Sequence, residues 1–215
     1  EGVSQLKPKD KQKYTEQYFE KVFFPSLDHR KDSFLLMRLL CPGLDRERGN
    51  YGLKEANLGK IISEALGLNK IDANRIYHYK NPAYHPKGSE FIGDFVFVLK
   101  SIVGPFCRMD SSLTLQEVDS FLDSIVVGEE KNKALLFTQL LSKCTAKDLE
   151  WICRIILKDL KVGLKHEKIL PIYHPQALEQ FNYTFSLRDI CHELVELPSP
   201  TTTTLTAPSS ITLFK

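Results

Sequence analysis

The chain has 215 residues, 42% of them hydrophobic, and carries 29 Lys and Arg against 27 Asp and Glu, for a net charge of +2. That length can bury one large or two small cores. The near-neutral balance excludes a chain that grips nucleic acid by bulk positive charge alone, so any such role must come from local asymmetry. No run of about 18 apolar residues occurs, and no transmembrane helix is predicted. The cysteines, Cys41, Cys107, Cys144, Cys153 and Cys191, are dispersed and odd in number, with no Cys-x-x-Cys pair. This argues against a disulfide framework and suits a reducing compartment inside the cell. The opening Glu1-Gly-Val-Ser-Gln is neither a signal peptide nor an initiator Met, and reads as a trimmed fragment.

Residues 1–13 are polar and lysine-rich and read as a frayed lead-in. Tyr14, Tyr18, Phe19, Val22, Phe23 and Phe24 predict an aromatic-rich helix over 14–24, broken at Pro25. A short apolar helix over 33–41 ends at Pro42. Leu58, Ile61, Ile62, Ala65 and Leu66 give helical spacing over 53–66, closed by Gly67. Residues 81–88 read as a loop. The apolar stretch 91–103 fits a buried helix or a strand, and the Gly93-Asp94 pair before Phe95 favours a helix start. Thr114-Leu-Gln-Glu117 has capping-box spacing ahead of Val118, Leu122 and Ile125. Helices follow over 131–143 and 147–161, the second with Thr145 as N-cap, and over 165–173 and 186–194. The predicted fold is all-α, about ten helices in a single domain over 14–196. From Leu197 the composition changes: Pro198 to Ser210 reads as a flexible linker, and 211–215 as the start of a further segment.

Residues 151–167 carry the sharpest local signal. Read as a helix ending at Gly163, they place Ile152, Ile155 and Ile156 on one face and Arg154, Lys158 and Lys161 on the other. The glycine turn then delivers Lys165 at a new helix start, an arrangement suited to phosphate. The alternative is an amphipathic helix with a solvated lysine face and a glycine C-cap. Gly52-Leu53-Lys54 and Gly163-Leu164-Lys165 repeat one string at two helix starts, each after a charged segment, and two such starts can face successive phosphates. Arg46-Glu47-Arg48 can form a basic surface leading into the first. No catalytic constellation is found: His-Glu-x-x-His, phosphate-cradling Gly-rich loops and Cys/His metal clusters are all missing. Cys191-His192 are neighbours that a helix points apart, and His85 and His174, both in Tyr-His-Pro, read as turn residues. The aromatics at 18–24 read as core or as one side of a partner groove.

Met37 to Glu55, together with Gly93-Asp94-Phe95, Leu113 to Val118, Leu122-Asp123, Arg154 to Gly163 and His174-Pro-x-Ala177, resembles the N-terminal DNA-binding domain of the eukaryotic ATP-dependent DNA ligases, in the DNA ligase IV branch. Ser210 to Phe214 resembles the lead into the ligase catalytic core. The resemblance implies an all-α domain with approximate internal two-fold symmetry, gripping the minor groove of nicked duplex through its backbone, in a nuclear ligase of non-homologous end joining. It implies phosphate contact at Lys161, Gly163, Leu164 and Lys165, and at Gly52, Leu53 and Lys54; charge and position add Arg154, Lys158 and the helix start at Thr114. It also implies a hydrophobic groove for the nuclease Artemis, assigned to Tyr18, Phe19, Val22, Phe23, Phe24 and Phe34. ATP and Mg²⁺ are cofactors of the full-length ligase. The adenylated Lys-x-Asp-Gly motif is not among these 215 residues, so the fragment is expected to be a non-catalytic, monomeric binder of double-stranded DNA without sequence preference. The competing expectation is a helical protein-interaction module whose basic face only aids solubility.

Overall fold

The computed structural model describes residues 8–26, 33–87, 89 and 92–194. The predicted linker 197–210 and the segment 211–215 lie outside the described residues. Among the described residues the secondary structure is helical, apart from an isolated bridge between Arg108 and Thr145. Contacts divide the chain into two units, one formed by 1–44 with 162–215 and the other by 45–161. The sequence reading had carried residues 14–196 as one stretch.

The second unit contains α3 (Glu55–Ala65), α4 (Lys70–Tyr77), α5 (Phe95–Val103), α6 (Leu115–Val127), α7 (Glu130–Leu141) and α8 (Ala146–Ile156). Its core is mostly aliphatic: Leu58, Ile61 and Ile62 of α3, Ile76 of α4, Leu99 of α5, Leu122 and Ile125 of α6, and Leu149 of α8 are all essentially inaccessible to solvent, as is Phe137 of α7. Phe121 meets Phe137 edge to face at 5.2 Å. The caps work as their residue types dictate. Asp94 Oδ1 accepts from the Val96 and Phe97 amides at 3.0 and 3.2 Å, which settles 95–103 as a helix. Thr114 and Thr145 each close a full capping box, with Glu117 and Asp148 as the reciprocal acceptors. Helix α4 escaped the sequence reading because its periodicity is weak. Only Ile76 is buried while Ile71 is exposed, and the helix starts instead on the Asn69 cap, which accepts from Asp72 N at 2.9 Å.

The first unit contains α1 (Pro8–Tyr18), α2 (Ser33–Leu40), α9 (His166–Tyr173), α10 (Ala177–Thr184) and α11 (Leu187–Glu193). Helix α1 starts at Pro8, within the stretch read as a frayed lead-in; proline is well suited to a first helical position. The aromatic stretch is not a plain α-helix. A π-turn spans Phe19–Phe23, with Phe24 N–H bonded to Phe19 O, and a 3₁₀ turn follows over Phe24–Ser26. Five residues at about 100° each would leave Phe19 and Phe24 on different sides of an α-helix. The wider π-turn brings both into the core with Met37, Ile169, Leu170, Phe181 and Ile190. Helix α10 was also missed. It begins straight after the predicted His174-Pro175 turn and ends at Phe185, which takes a left-handed φ of 52°.

His174 caps α9 and is buried, and its Nδ1 accepts the Gln176 amide at 3.2 Å. Burial lowers its pKa below the ordinary value of 6.5. A histidine depressed in the folded state contributes stability that is full above 6.5 and is lost as pH falls toward the folded value. Thermal melts between pH 7.5 and 5 should therefore show a falling midpoint, and His174→Gln should flatten that fall. An unchanged pH profile in the variant would remove His174 as its cause.

Candidate functional site

The two Gly-Leu-Lys strings share one backbone geometry. Gly52 has φ +64° and Gly163 φ +77°, conformations that glycine adopts without a Cβ penalty. The leucine that follows is driven inward: Leu53 and Leu164 are each 9% exposed, and Leu164 joins the core of the first unit. The lysine is then the exposed N-cap in both, with φ, ψ of −105°, 173° at Lys54 before α3 and −92°, 164° at Lys165 before α9. A lysine ammonium only donates, so neither side chain can cap its own helix as Thr114 and Thr145 cap theirs. Each turn therefore offers first-turn amides, the positive end of a helix and a lysine, a combination that attracts an oxyanion. Glu55 and Glu167 in the same first turns temper the charge without removing the amides.

The approach to Gly52 is fixed by buried polar bonds. Asp45 Oδ1 accepts from the Glu47 and Arg48 amides, both at 3.1 Å. Arg48 is not part of a basic surface as the sequence reading allowed. It is buried and donates to Asp123 at 2.7 Å, to Asp119, and to the Tyr51 hydroxyl at 3.5 Å. Burial by itself would lower the Arg48 pKa, but these acceptors raise it, so the guanidinium stays charged. Lys133 Nζ then donates to Tyr51 O at 3.3 Å, immediately before the glycine.

The basic stripe predicted over 154–161 does not form, because α8 ends at Ile156. Asp159 N–H bonds to Arg154 O and Lys158 N–H to Ile155 O, both at 3.0 Å, with Lys158 at φ 56°. This is a Schellman closure. Helix α3 closes in the same way through Gly67 at φ 59°, with Leu68 N–H on Ser63 O. In α8 a lysine occupies the position that glycine holds in α3. Lys161 is also left-handed, at φ 51°. Lys158 and Lys161 are exposed, but Arg154 is only 3% exposed and points inward. Its guanidinium covers the Phe97 ring at 4.8 Å and pairs with Glu150 at 3.4 Å and Asp94 at 3.6 Å. The sequence pattern set Arg154 opposite the isoleucines; this aromatic and acidic lining is what accommodates it inside.

Asp94 collects the remaining charges. Its Oδ2 lies 2.8 Å from Lys161 Nζ, and Lys100 pairs with Glu150 at 2.7 Å, so alternating charges tie α5, α8 and the 157–161 loop together. Burial would raise the Asp94 pKa. The Lys161 hydrogen bond, the Phe97 amide and the Arg154 charge outweigh it and hold the carboxyl below its usual value. Thr114 is exposed, but its hydroxyl already donates to Glu117 Oε2 at 3.1 Å and accepts from Glu117 N at 3.2 Å.

The predicted hydrophobic groove is divided. Tyr18 and Val22 are exposed, whereas Phe19 and Phe24 are core, and Phe24 packs edge-on against Tyr173 at 5.4 Å. Phe23 and Phe34 are half-buried, and Arg188 and Arg38 lie over the Phe34 ring at 4.1 and 5.0 Å. Sequence reasoning missed the roles of Lys133, Arg48 and Asp94. Only Asp94 gave a signal, as a helix start.

A family profile described as DNA ligase N terminus matches residues 1–174. The chain is 35% identical over 167 residues to DNA ligase 4 of Arabidopsis thaliana, covering 76% of this chain and 14% of that protein. It is 36% identical over 170 residues to DNA ligase 4 of Homo sapiens, covering 76% of this chain and 18% of that protein. With DNA ligase 4 of Gallus gallus the identity is 37% over 183 residues, covering 80% of this chain and 20% of that protein. The matched region thus spans a fifth or less of these relatives.

The left-handed lysine at the end of α8 has a measurable cost. Lys158→Gly should raise the thermal midpoint, since a left-handed L-residue costs about 1 kcal/mol relative to glycine. A lowered midpoint would mean that the Lys158 side chain contributes more to folding than its backbone conformation costs.

Proposed function

The chain belongs to the DNA ligase N-terminal family, and on that premise we propose that it is the DNA-binding domain of a DNA ligase, holding nicked or broken duplex by its minor groove and phosphates while catalysis happens elsewhere. The observation that carries this reading is the shared geometry of Gly52-Leu53-Lys54 and Gly163-Leu164-Lys165, each ending in an uncapped helix start under a lysine. Contacts made by amides, helix ends and lysines are read from the sugar-phosphate backbone. A ligase needs that sequence-blind grip, because breaks occur in any sequence. Lys158 and Lys161 are further exposed lysines shortly before the second turn in sequence, and the buried Arg154 lies against Asp94, which holds Lys161.

The finer reading is a nuclear ligase that seals double-strand breaks in non-homologous end joining; the DNA ligase 4 relatives support it. Tyr18 and Val22, exposed beside the buried Phe19 and Phe24, are the residues left to meet a partner such as Artemis. On this reading ATP and Mg²⁺ act outside these residues. The sequence holds no Lys-x-Asp-Gly.

Fluorescence anisotropy with nicked and intact duplexes of unrelated sequence tests the reading. Affinity should be indifferent to sequence, and log affinity should fall against log salt with a slope near −0.9 per phosphate contacted. Lys54→Glu with Lys165→Glu should weaken binding at least about tenfold at 0.1 M salt without lowering the thermal midpoint, because both side chains are exposed and a carboxylate suits a helix N-terminus. Unaltered affinity in a folded double variant would remove the two turns from the interface.

A further inference from the structure

Lys161 faces the wrong way for a residue awaiting DNA: its ammonium is already paired. Nζ lies 2.8 Å from Asp94 Oδ2 and 3.9 Å from Asp159 Oδ2, with the Lys161 side chain half exposed. The Asp94 carboxylate cannot follow the loop. It caps α5 through the Val96 and Phe97 amides at 3.0 and 3.2 Å, and the buried Arg154 guanidinium stands 3.6 Å away. The loop it holds is built from unusual conformations. Lys158, Lys161 and Gly163 all have positive φ, and for the two lysines this is unfavourable without external restraint. The pair therefore joins a fixed carboxylate to a lysine on a strained backbone that lies two residues before the second Gly-Leu-Lys turn.

We propose that Asp94 is an intramolecular stand-in for a DNA phosphate, which holds Lys161 in the free protein and yields it to the duplex backbone on binding. The inference rests on the DNA-binding reading above and adds to it a built-in competitor that lowers affinity. A carboxylate and a phosphodiester each present anionic oxygens to an ammonium, so the exchange trades one charge-assisted bond for another. The grip is weakened by the Asp94 bond that must be given up, and the loop is kept ordered between encounters. The Asp94 cap remains in place after the exchange, because the α5 amides and Arg154 continue to hold it.

The test is duplex anisotropy over a salt series, with the whole chain and a nicked duplex. Asp94→Asn keeps an N-cap acceptor but removes the charge, and Asp94→Ser does the same with a different side chain. Both should bind about fivefold more tightly than the wild type, with a similar salt slope, because Lys161 reaches a phosphate in both complexes. Lys161→Gln should abolish that gain in either background. Unchanged or weaker binding by both Asp94 variants, with thermal melts showing them folded, would overturn the proposal. So would a gain that survives Lys161→Gln. If the wild type binds duplex normally and no variant gains, the latch alone fails. If neither the wild type nor any variant binds duplex, the DNA-binding reading fails and the latch with it.

Discussion

The candidate site depends on a leucine pulled into a hydrophobic core immediately after a left-handed glycine. Burying Leu53 or Leu164 is worth about 2 kcal/mol of transfer free energy. That is more than enough to fix the one peptide between a permissive glycine and a helix start. Once the leucine points in, the next residue must point out, and it is a lysine at the N-cap position in both cases. Lysine is a poor cap by the measure of helix stability, since it cannot accept the first-turn amides. The strings give up a cap, and what they gain is an exposed cation over open amides. That trade makes little sense for a helix that only has to be stable. It makes sense for a surface that receives phosphate oxygens.

The same exchange of local stability for charge placement recurs at the end of α8. Helices α3 and α8 finish with the same hydrogen-bond pattern, yet Gly67 holds the left-handed position in one and Lys158 in the other. Three residues later Lys161 repeats the choice. Two left-handed lysines within four residues put positive charge on a tight turn, where a regular helix would have spread it along a face. Asp94, Arg154 and Glu150 form the acidic and basic framework beneath that turn, each charge balanced by a neighbour.

Much of the fold was legible because its caps are chemically specific. Thr114, Thr145 and Asp94 sit where their side chains satisfy first-turn amides, and each marked a true helix start. Helices α4 and α10 were not legible, since each rests on few buried positions and α4 is polar around most of its circumference. The Gly-Leu-Lys echo was visible as a string, and the shared backbone geometry gives it physical content. Arg154 and Arg48 misled in the same way: both read as basic surface, and both are buried against carboxylates distant in sequence. Periodicity places a residue on a helix face but does not reveal which acid another helix will bring to it. The helix end at Ile156 was hidden for a related reason, because a lysine stands where a glycine would have announced the stop.

Titration of the isotopically labelled chain with nicked duplex, followed by backbone amide resonances, tests the central claim most directly. The account predicts the largest shifts at Gly52, Lys54 and the first turn of α3, and at Gly163, Lys165 and the first turn of α9, with both sets saturating at the same DNA concentration. Shifts confined to one turn, or centred on the aromatic stretch around Tyr18 and Val22 with both turns silent, would contradict it.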